Sequence, residues 1–417
     1  MAWIRKGSAY LWASIRIRLH PNTAAMPEPI RVGIVGSRFA ARFHREGYER
    51  VYGIPVRVVG VTSRSPESAA TFAREHQVAA FDSLAELSEA ADVIDLCSPP
   101  STHEPLAIEA FDRGKHVVIE KPFTGFYGPP GMNGDFRGDT FSKETMLREA
   151  MASCDRILSA AKRAGRQLFY AENWVYAPAV AKAREILQKT AGQILWIIGD
   201  ESHSGSHSPY YGIWRHSGGG SLVGKGCHPL TAALHLKRVE GEARQQKPIR
   251  PAAVNARTHA ITRNPDFQDA GFLRTDYRDV EDYAQVHVTF EDGTVADIFS
   301  SELVLGGVHN WLEVFANNHR TRANLNPVNA LETYNPREDL LRDVYVTEKI
   351  GTKQGWSHPA PDEPWQHGYP QEFQDFMECV WHKRQPLAGG ELARDTVAVM
   401  YAGYRSAELA GAEVPVP

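Results

Sequence analysis

Four segments of the chain carry side chains whose types and spacing could do chemistry, and the first runs from Arg31 to His44. Its sequence, RVGIVGSRFAARFH, is an apolar strand pattern that reaches Gly36 and then becomes helical. A strand, a tight turn and a helix N-terminus can together hold a phosphate on backbone N–H groups. The usual G-x-G-x-x-G or G-x-G-x-x-A spacing is broken, because Arg38 replaces the glycine that lets backbone approach a pyrophosphate. We still expect dinucleotide binding, from Gly36 and the small Ala40, with a plain strand–turn–helix as the alternative.

The second segment ends the next predicted strand, VRVVGVTS, and bears on the ribose of such a cofactor. Sites that take NAD usually place an acidic residue there for the ribose 2′-hydroxyl. This chain has Thr62, Ser63 and Arg64 instead. A hydroxyl and a guanidinium can accept a 2′-phosphate, so NADP and NAD both stay open, and a helix-capping serine is the alternative interpretation.

The third segment, CSPPSTHEPLAIEAFDRGKHVVIEKP, places Lys121 at the end of a predicted strand. Oxidation of an alcohol needs a group that takes up the hydroxyl proton. A desolvated Lys or His beside a cationic ring could be tuned toward neutral pH for that purpose. Considered alone, a lysine at a strand end is more often a solvated charge.

Taken with AENWVYAPAV, GGGSLVGKGCH and the terminal YRSAE, these motifs resemble the glucose–fructose oxidoreductase, inositol dehydrogenase and rhizopine-catabolism (Gfo/Idh/MocA) family over nearly all of residues 31–412. The resemblance implies hydride transfer between NAD or NADP and a hydroxyl of a sugar, glycoside or polyol. In that family the lysine of the EKP motif, here Lys121, contacts the nicotinamide ribose and the hydroxyl that is oxidised. The expected cofactor-binding residues are Gly36, Ser37, Arg38, Phe39, Ala40, Ser63, Arg64, Ser98, Pro99, His103, Glu120, Lys121 and Asn173.

The same resemblance assigns the glycine-rich segment HSGGGSLVGKGCHPLTAALHL to the substrate. The family usually reads G-G-G-x-x-x-D-x-G-x-H-x-x-D there, with the first Asp on the substrate and the His as proton-transfer group. His228 matches, and we expect it to act as general acid/base with Lys121, whereas Gly224 and Thr231 replace the two Asp residues. Lys225 adds a cation, which indicates an anionic group on the substrate. The expected substrate-binding residues are Tyr176, His203, Tyr211, Trp214, Arg215, Lys225 and His228.

Two other functions fit the same motifs. One is NAD-dependent glycoside hydrolysis by transient ring oxidation, elimination and re-reduction, with which the altered GKGCH segment is compatible. The other is a cofactor-bound sensor without catalysis, against which the presence of both Lys121 and His228 argues. His203 and His207 have the spacing of a metal-binding pair, but without a convincing third ligand we expect no metal.

The elements that must position these residues follow two patterns. Up to residue 171, short apolar runs alternate with helical ones, including a helix at 143–164, which predicts a parallel sheet covered by helices. Farther on, QILWIIGDES, PAAVNARTHAIT, DYAQVHVTFEDGTVADIFSSEL and NWLEVFANNHRTRANL alternate as half-buried antiparallel strands do, with a hairpin turn at Glu291–Gly293. The predicted fold is α/β plus α+β, with a Rossmann domain at 31–171 and a substrate and oligomerisation domain, built on a large open antiparallel sheet, at 172–417.

Composition, charge and cysteine content restrict the class of protein, its partners and its compartment. A chain of 417 residues with 42% hydrophobic and 23% charged residues predicts a soluble globular protein of two domains. A formal charge of −4 argues against a nucleic-acid partner, and no run of about 20 apolar residues predicts a membrane span. Four dispersed cysteines predict free thiols in a reducing cytoplasm. We expect a homodimer or homotetramer acting on a small carbohydrate, with residues 1–30 a disordered tail or a start assigned too early.

Overall fold

The computed structural model describes residues 27–132, 136–206, 208, 210–326 and 331–417. The expectation for residues 1–30 therefore falls outside the described residues up to residue 26. Across the part that is described, no helix is both long enough and apolar enough to span a membrane. All four cysteines are free thiols, as predicted.

Six parallel strands form the N-terminal sheet, in the order β3-β2-β1-β4-β5-β6. They are β1 Ile30–Val35, β2 Val56–Thr62, β3 Ala79–Ala80, β4 Val93–Leu96, β5 His116–Glu120 and β6 Leu168–Ala171. All four residues of β4 are buried, as in a strand covered on both faces. The strand order reverses between β1 and β4, so the carboxyl ends of these strands form the edge at which sheets of this type bind ligands.

The helices of this half are α1 Phe39–Glu49, α2 Pro66–His76, α3 Leu84–Ala90, α4 His103–Asp112 and α5 Lys143–Ala164. The helix predicted at 143–164 is confirmed, because Ser142 caps its first turn and Gly165, with a φ of 60°, ends it. The apolar pattern does not predict β3 or α3, since β3 is two exposed alanines and α3 has only 7 residues.

Seven strands form the second sheet, in the order β12-β11-β7-β10-β9-β8-β15. They are β7 Ile194–Ser202, β8 Pro251–His259, β9 Tyr283–Phe290, β10 Val295–Ser301, β11 His309–Ala316, β12 Arg320–Asn324 and β15 Val414–Pro415. Only β7 and β10 pair in parallel among these described strands, so the predicted mostly antiparallel sheet is confirmed. A separate two-stranded sheet pairs β13 Thr333–Asn335 with β14 Gly355–Ser357.

Two sequence expectations concern the hairpins of this sheet. The hairpin turn at Glu291–Gly293 is confirmed between β9 and β10, where Gly293 has a φ of 78°. The segment NWLEVFANNHRTRANL, expected to form antiparallel strands, is the β11–β12 hairpin. The cause of the turn is local: Asn317 and Asn318 bend the chain between two apolar runs.

The remaining helices are α6 Pro178–Thr190, α7 Trp214–Ser217, α8 Cys227–Gln245, α9 Glu363–Gln366, α10 Tyr369–His382 and α11 Gly390–Glu408. The C-terminal helices return to the Rossmann half. Phe373 of α10 packs against Tyr48 of α1 with tilted rings, 4.5 Å between their centroids, and it fits because Gly47 has no Cβ. Phe169 of β6 pairs with Gly389, directly before α11. The domain boundary after residue 171 stays a prediction, and these contacts join the two halves.

Candidate active site

The phosphate loop keeps its sharp turn although Arg38 interrupts the glycine pattern. Gly36 has a φ of +109°, and a Cβ on it would lie 2.6 Å from the Cys97 carbonyl oxygen, so only glycine fits there. The Arg38 guanidinium points out of the turn and lies 5.7 Å from the ring centroid of Tyr210 in the second half. The arginine therefore leaves the backbone path of the turn unchanged.

The N-terminus of α1 is open to an anion. Within the described ranges α1 has no side-chain cap, whereas Ser65 caps α2 by accepting from the Ser68 N–H. The first N–H groups of α1 thus remain free of side-chain partners, as a helix that binds a phosphate requires. Phe39, the first residue of α1, is 63% exposed. The loop and helix fit the pyrophosphate of a dinucleotide.

The other expected cofactor residues line the same edge of the sheet. Ser37 lies within 2.7 Å of Ser68, hydroxyl to hydroxyl, and Ala40 is half-buried beside it in α1. Ser63 and the exposed Arg64 directly follow β2 and bring no carboxylate to the ribose position. This edge therefore has a guanidinium where NAD sites usually have an acid.

His103 holds the loop after β4 against the loop that carries Lys121. Its Nε2 lies 3.0 Å from the carbonyl oxygen of Ser98, and its Nδ1 lies 3.1 Å from that of Pro122. Burial lowers the pKa of His103, and the two carbonyl groups offset part of that effect. A neutral imidazole has one N–H, which one of these carbonyl oxygens accepts, so His103 positions the loops of Ser98 and Pro122 rather than offering a free donor.

Lys121 follows β5 and reaches into the second half of the molecule. Its Nζ donates to the Gly224 carbonyl oxygen at 3.1 Å and lies 5.7 Å from the ring centroid of Tyr211. Gly224 makes this possible, because a Cβ there would press on the Tyr211 ring at 3.1 Å. The peptide bond between Lys121 and Pro122 is cis. The substitution of Asp by Gly224 thus gives Lys121 an aromatic neighbour.

The protein alone holds Lys121 in its charged form. Burial lowers the pKa of Lys121, but the surrounding groups, Tyr211 and Cys227 first, outweigh it and hold that pKa well above its usual value. The expectation that a cationic ring tunes this lysine toward neutral pH stays a prediction. Lys121 is a charged donor.

His228 is the second residue of α8 and is buried. Its Nδ1 lies 2.5 Å from Glu172 Oε1, and its ring stacks on Trp174 with 6.1 Å between centroids. Its Nε2 lies 4.0 Å from Glu201 Oε1. Burial lowers the pKa of His228 to about 4, with Glu201 opposing and Lys121 adding to that shift. The imidazole is therefore neutral at physiological pH.

Three carboxyl groups surround the pair, and sequence reasoning found only Glu120. Glu172 and Glu201 were missed, although an acidic residue inside the half-buried pattern QILWIIGDES is a usable signal for Glu201. Each of the three has one buried oxygen without a hydrogen-bond partner in the described part of the chain. Burial raises the pKa of Glu120 and of Glu201 to about 7 and that of Glu172 to about 8.

Several expected site residues have their polar atoms used by the protein itself. The Trp214 indole N–H donates to the Phe126 carbonyl oxygen at 3.0 Å, and the Tyr176 hydroxyl donates to Asp375 at 2.8 Å. The Asn173 amide donates to the carbonyl oxygen of His367 at 2.8 Å, and all three expected residues are buried. The structure therefore places Trp214, Tyr176 and Asn173 in the packed core around the site, whereas it brings Tyr211 to Lys121.

Lys225 does not supply an unpaired cation. Its Nζ forms a buried ion pair with Glu302 and lies 3.3 Å from the Ser206 hydroxyl oxygen. Burial lowers the pKa of Lys225, while Glu302 raises it. Because the charge is compensated inside the protein, Lys225 does not indicate an anionic substrate.

Two further expected substrate residues lie in the loops before α7 and in α7. The Arg215 guanidinium donates to the Met132 carbonyl oxygen and lies 5.6 Å from the ring centroid of Phe136. His203 is half-buried, and its Nδ1 accepts from the Gly205 N–H at 3.2 Å. His207, which has the spacing of a metal-binding pair with His203, lies outside the described residues.

Two family models match this chain in the order of its two sheets. Residues 30–127 match the GFO_IDH_MocA model, described as "Oxidoreductase family, NAD-binding Rossmann fold", and residues 180–320 match the "GFO/IDH/MocA C-terminal domain". Together they cover more than half of the chain. The chain belongs to the Gfo/Idh/MocA oxidoreductase family. This confirms the resemblance inferred from the motifs, the two-part fold and the expected class of cofactor, a nicotinamide dinucleotide.

Relatives within the Gfo/Idh/MocA family match different shares of the chain. UDP-N-acetylglucosamine 3-dehydrogenase of Acidithiobacillus ferrooxidans is 35% identical over 95 residues, which are 23% of this chain and 29% of that protein. Levoglucosan dehydrogenase of Pseudarthrobacter phenanthrenivorans is 26% identical over 224 residues, 50% of this chain and 51% of that protein. The crystal structure of GenD2 from gentamicin A biosynthesis in complex with NAD has the same fold, with a TM-score of 0.74 and 23% identity over 96% of this chain and 99% of that one.

Proposed function

We propose that this member of the Gfo/Idh/MocA family is an NAD(P)-dependent dehydrogenase that oxidises a hydroxyl of a sugar, glycoside or polyol. The observation that carries the proposal is the pairing of Lys121 from the Rossmann half with His228 from the second half. Both interact electrostatically with the Glu201 carboxyl group. The pKa of Lys121 is raised, whereas that of His228 is lowered. The names of the relatives, UDP-N-acetylglucosamine 3-dehydrogenase and levoglucosan dehydrogenase, support a carbohydrate substrate.

The two residues divide the work of removing the hydroxyl proton. For His228 to accept that proton at Nε2, its Nδ1–H must donate to Glu172, and the 2.5 Å contact provides this bond. Charged Lys121 donates to the substrate oxygen and stabilises the negative charge that develops as the proton leaves. Environments that push pKa values apart are the usual way in which one site holds both a base and a charged donor. A bound nicotinamide supplies the hydride acceptor.

The cofactor site follows from the edge of the N-terminal sheet. Gly36 and the start of α1 bind the pyrophosphate on backbone N–H groups. Arg64 and Ser63 face the adenosine ribose, and the lack of an acid directly after β2 supports acceptance of NADP as well as NAD.

The assembly and location that accompany this activity are parts of the same proposal. The enzyme is a cytoplasmic homodimer or homotetramer joined through the second sheet. Exposed Leu195 and Trp196 on β7, with Trp196 stacked on Phe315 at 4.7 Å between centroids, give that sheet an apolar outer strip. Four free thiols support a reducing compartment.

The test is an assay of the purified protein with NAD⁺ or NADP⁺ against myo-inositol, levoglucosan, UDP-N-acetylglucosamine and p-nitrophenyl glycosides. We expect net formation of reduced nicotinamide with at least one of these compounds. Release of p-nitrophenol without net reduction would replace the dehydrogenase by redox-neutral glycoside hydrolysis. Neither signal, from folded protein that binds the cofactor, would favour a sensor.

A further inference from the structure

Glu201 is a buried carboxylate whose second oxygen is left unsatisfied by the protein. It is the penultimate residue of β7, and only 8% of it is exposed. Its Oε2 has no hydrogen-bond partner among the residues that the structure describes. The nearby Lys225 is engaged by Glu302 and does not neutralise it. Burying a carboxylate without hydrogen-bond partners costs free energy. A ligand that donates a hydrogen bond to Glu201 would offset that cost.

The position of Glu201 places that ligand at the catalytic pair. Its Oε1 lies 4.0 Å from His228 Nε2, which is too long for a direct hydrogen bond, so both atoms remain available to a substrate. Burial raises the pKa of Glu201 to about 7 and Glu172 adds to that shift, whereas the charges of Lys121 and Lys225 oppose it. The two lysines thus favour the ionised form of Glu201.

A count of donors and acceptors shows what the ligand must offer. The hydroxyl that is oxidised has one proton, which goes to His228, and it accepts from Lys121. An ionised carboxyl group only accepts, so Glu201 cannot be satisfied by that hydroxyl and needs a second O–H. In a sugar or polyol the nearest second O–H is on the adjacent carbon.

We propose that Glu201 is a substrate-binding carboxylate that accepts a hydrogen bond from the hydroxyl next to the one oxidised, so that the site selects vicinal diols. The inference rests on the proposed dehydrogenase function and names its substrate class. Glu201 acts in binding, and the proton is still transferred to His228.

The experiment is isothermal titration calorimetry of myo-inositol and levoglucosan into the protein saturated with reduced cofactor, so that no oxidation proceeds. The variants are Glu201→Gln and, as matched control, Asp200→Asn. Asp200 is the neighbouring carboxylate on the opposite face of β7 and bonds to His309 and Ser202. We expect Glu201→Gln to weaken binding about tenfold or more, because the hydrogen bond to a charged acceptor becomes one to a neutral amide, and Asp200→Asn to leave binding unchanged.

A second series uses monodeoxy-inositols to test for the neighbouring hydroxyl. Removal of the hydroxyl that Glu201 binds should weaken binding to the wild type more than binding to Glu201→Gln, whose neutral amide oxygen accepts a weaker hydrogen bond. Should Glu201→Gln fail to fold, Glu201→Asp takes its place. It retains the charge on a shorter side chain, so its loss of affinity should be smaller than the tenfold or greater loss expected for Glu201→Gln.

The outcomes separate the two proposals. Equal affinity of wild type and Glu201→Gln, an equal penalty for the deoxy compounds in both, or no affinity of the wild type for either vicinal diol would overturn the role of Glu201. Binding that depends on Glu201 without any reduction of NAD⁺ or NADP⁺ would support that role and overturn the dehydrogenase.

Discussion

The two halves of this site are built in different ways. The pyrophosphate position is made by one short segment, in which Gly36 and the start of α1 provide backbone groups. The substrate side brings together charged side chains from distant segments, among them Lys121, Glu172 and His228. A site made of backbone tolerates a changed side chain such as Arg38, whereas a site made of buried charges depends on every partner.

The largest effect should come from removing the catalytic pair. We expect Lys121→Ala or His228→Ala to lower kcat by about 10²–10⁴-fold, the usual scale for a positioned acid–base group, while cofactor affinity persists. The double variant should cost much less than the product of the two, because the residues act on one proton transfer. Steady-state kinetics and cofactor titration measure this. Near-normal kcat in folded variants would mean that the charged half is not catalytic.

The next effect tests whether the buried charges stabilise one another. Lys225→Met should destabilise the fold by about 3–5 kcal/mol, because it leaves Glu302 buried without its partner. Urea denaturation measures the loss, and adding Glu302→Leu should restore most of it. If stability is kept and only anionic substrates lose affinity, Lys225 is the anion site that the sequence indicates.

A smaller loss is expected where the backbone makes the site. Gly36→Ala should add about 1–3 kcal/mol of strain at this positive φ, and its Cβ would also meet Cys97, so cofactor affinity should fall. Gly53→Ala is the matched control, since Gly53 also has a positive φ but nothing within 4 Å of its Cβ position. The control should lose stability and keep its Kd for NAD⁺. Equal Kd values for both variants would contradict the backbone account.

The smallest effect is expected at the broken glycine pattern. Arg38→Gly should change the Kd for NAD⁺ by less than about tenfold, which is about 1.4 kcal/mol, because the side chain lies outside the turn. Fluorescence titration measures this. A gain of several orders of magnitude would show that Arg38 obstructs the cofactor.

The contrast between the backbone-built and the charge-built parts of the site also explains which features could be predicted from the sequence. Continuous apolar runs mark the strands of the N-terminal sheet, and capping residues such as Ser142 and Gly165 mark helix ends, because these signals are local. The bond between Glu172 and His228 joins residues 56 positions apart, and no local pattern indicates it. Lys225 appears unpaired in the sequence for the same reason, since Glu302 reaches it only in the folded chain.

The central claim is that burial among distant charges makes His228 a neutral base beside a charged Lys121. The most direct measurement is an NMR titration of the protein labelled with ¹³C in its histidine rings, with His228→Gln to assign the signal. The account predicts a pKa of about 4, because burial disfavours the imidazolium, so the ring stays neutral as the pH rises from mildly acid to alkaline. A ring that titrates at or above the ordinary histidine pKa would be charged in the working range, and the account would be contradicted.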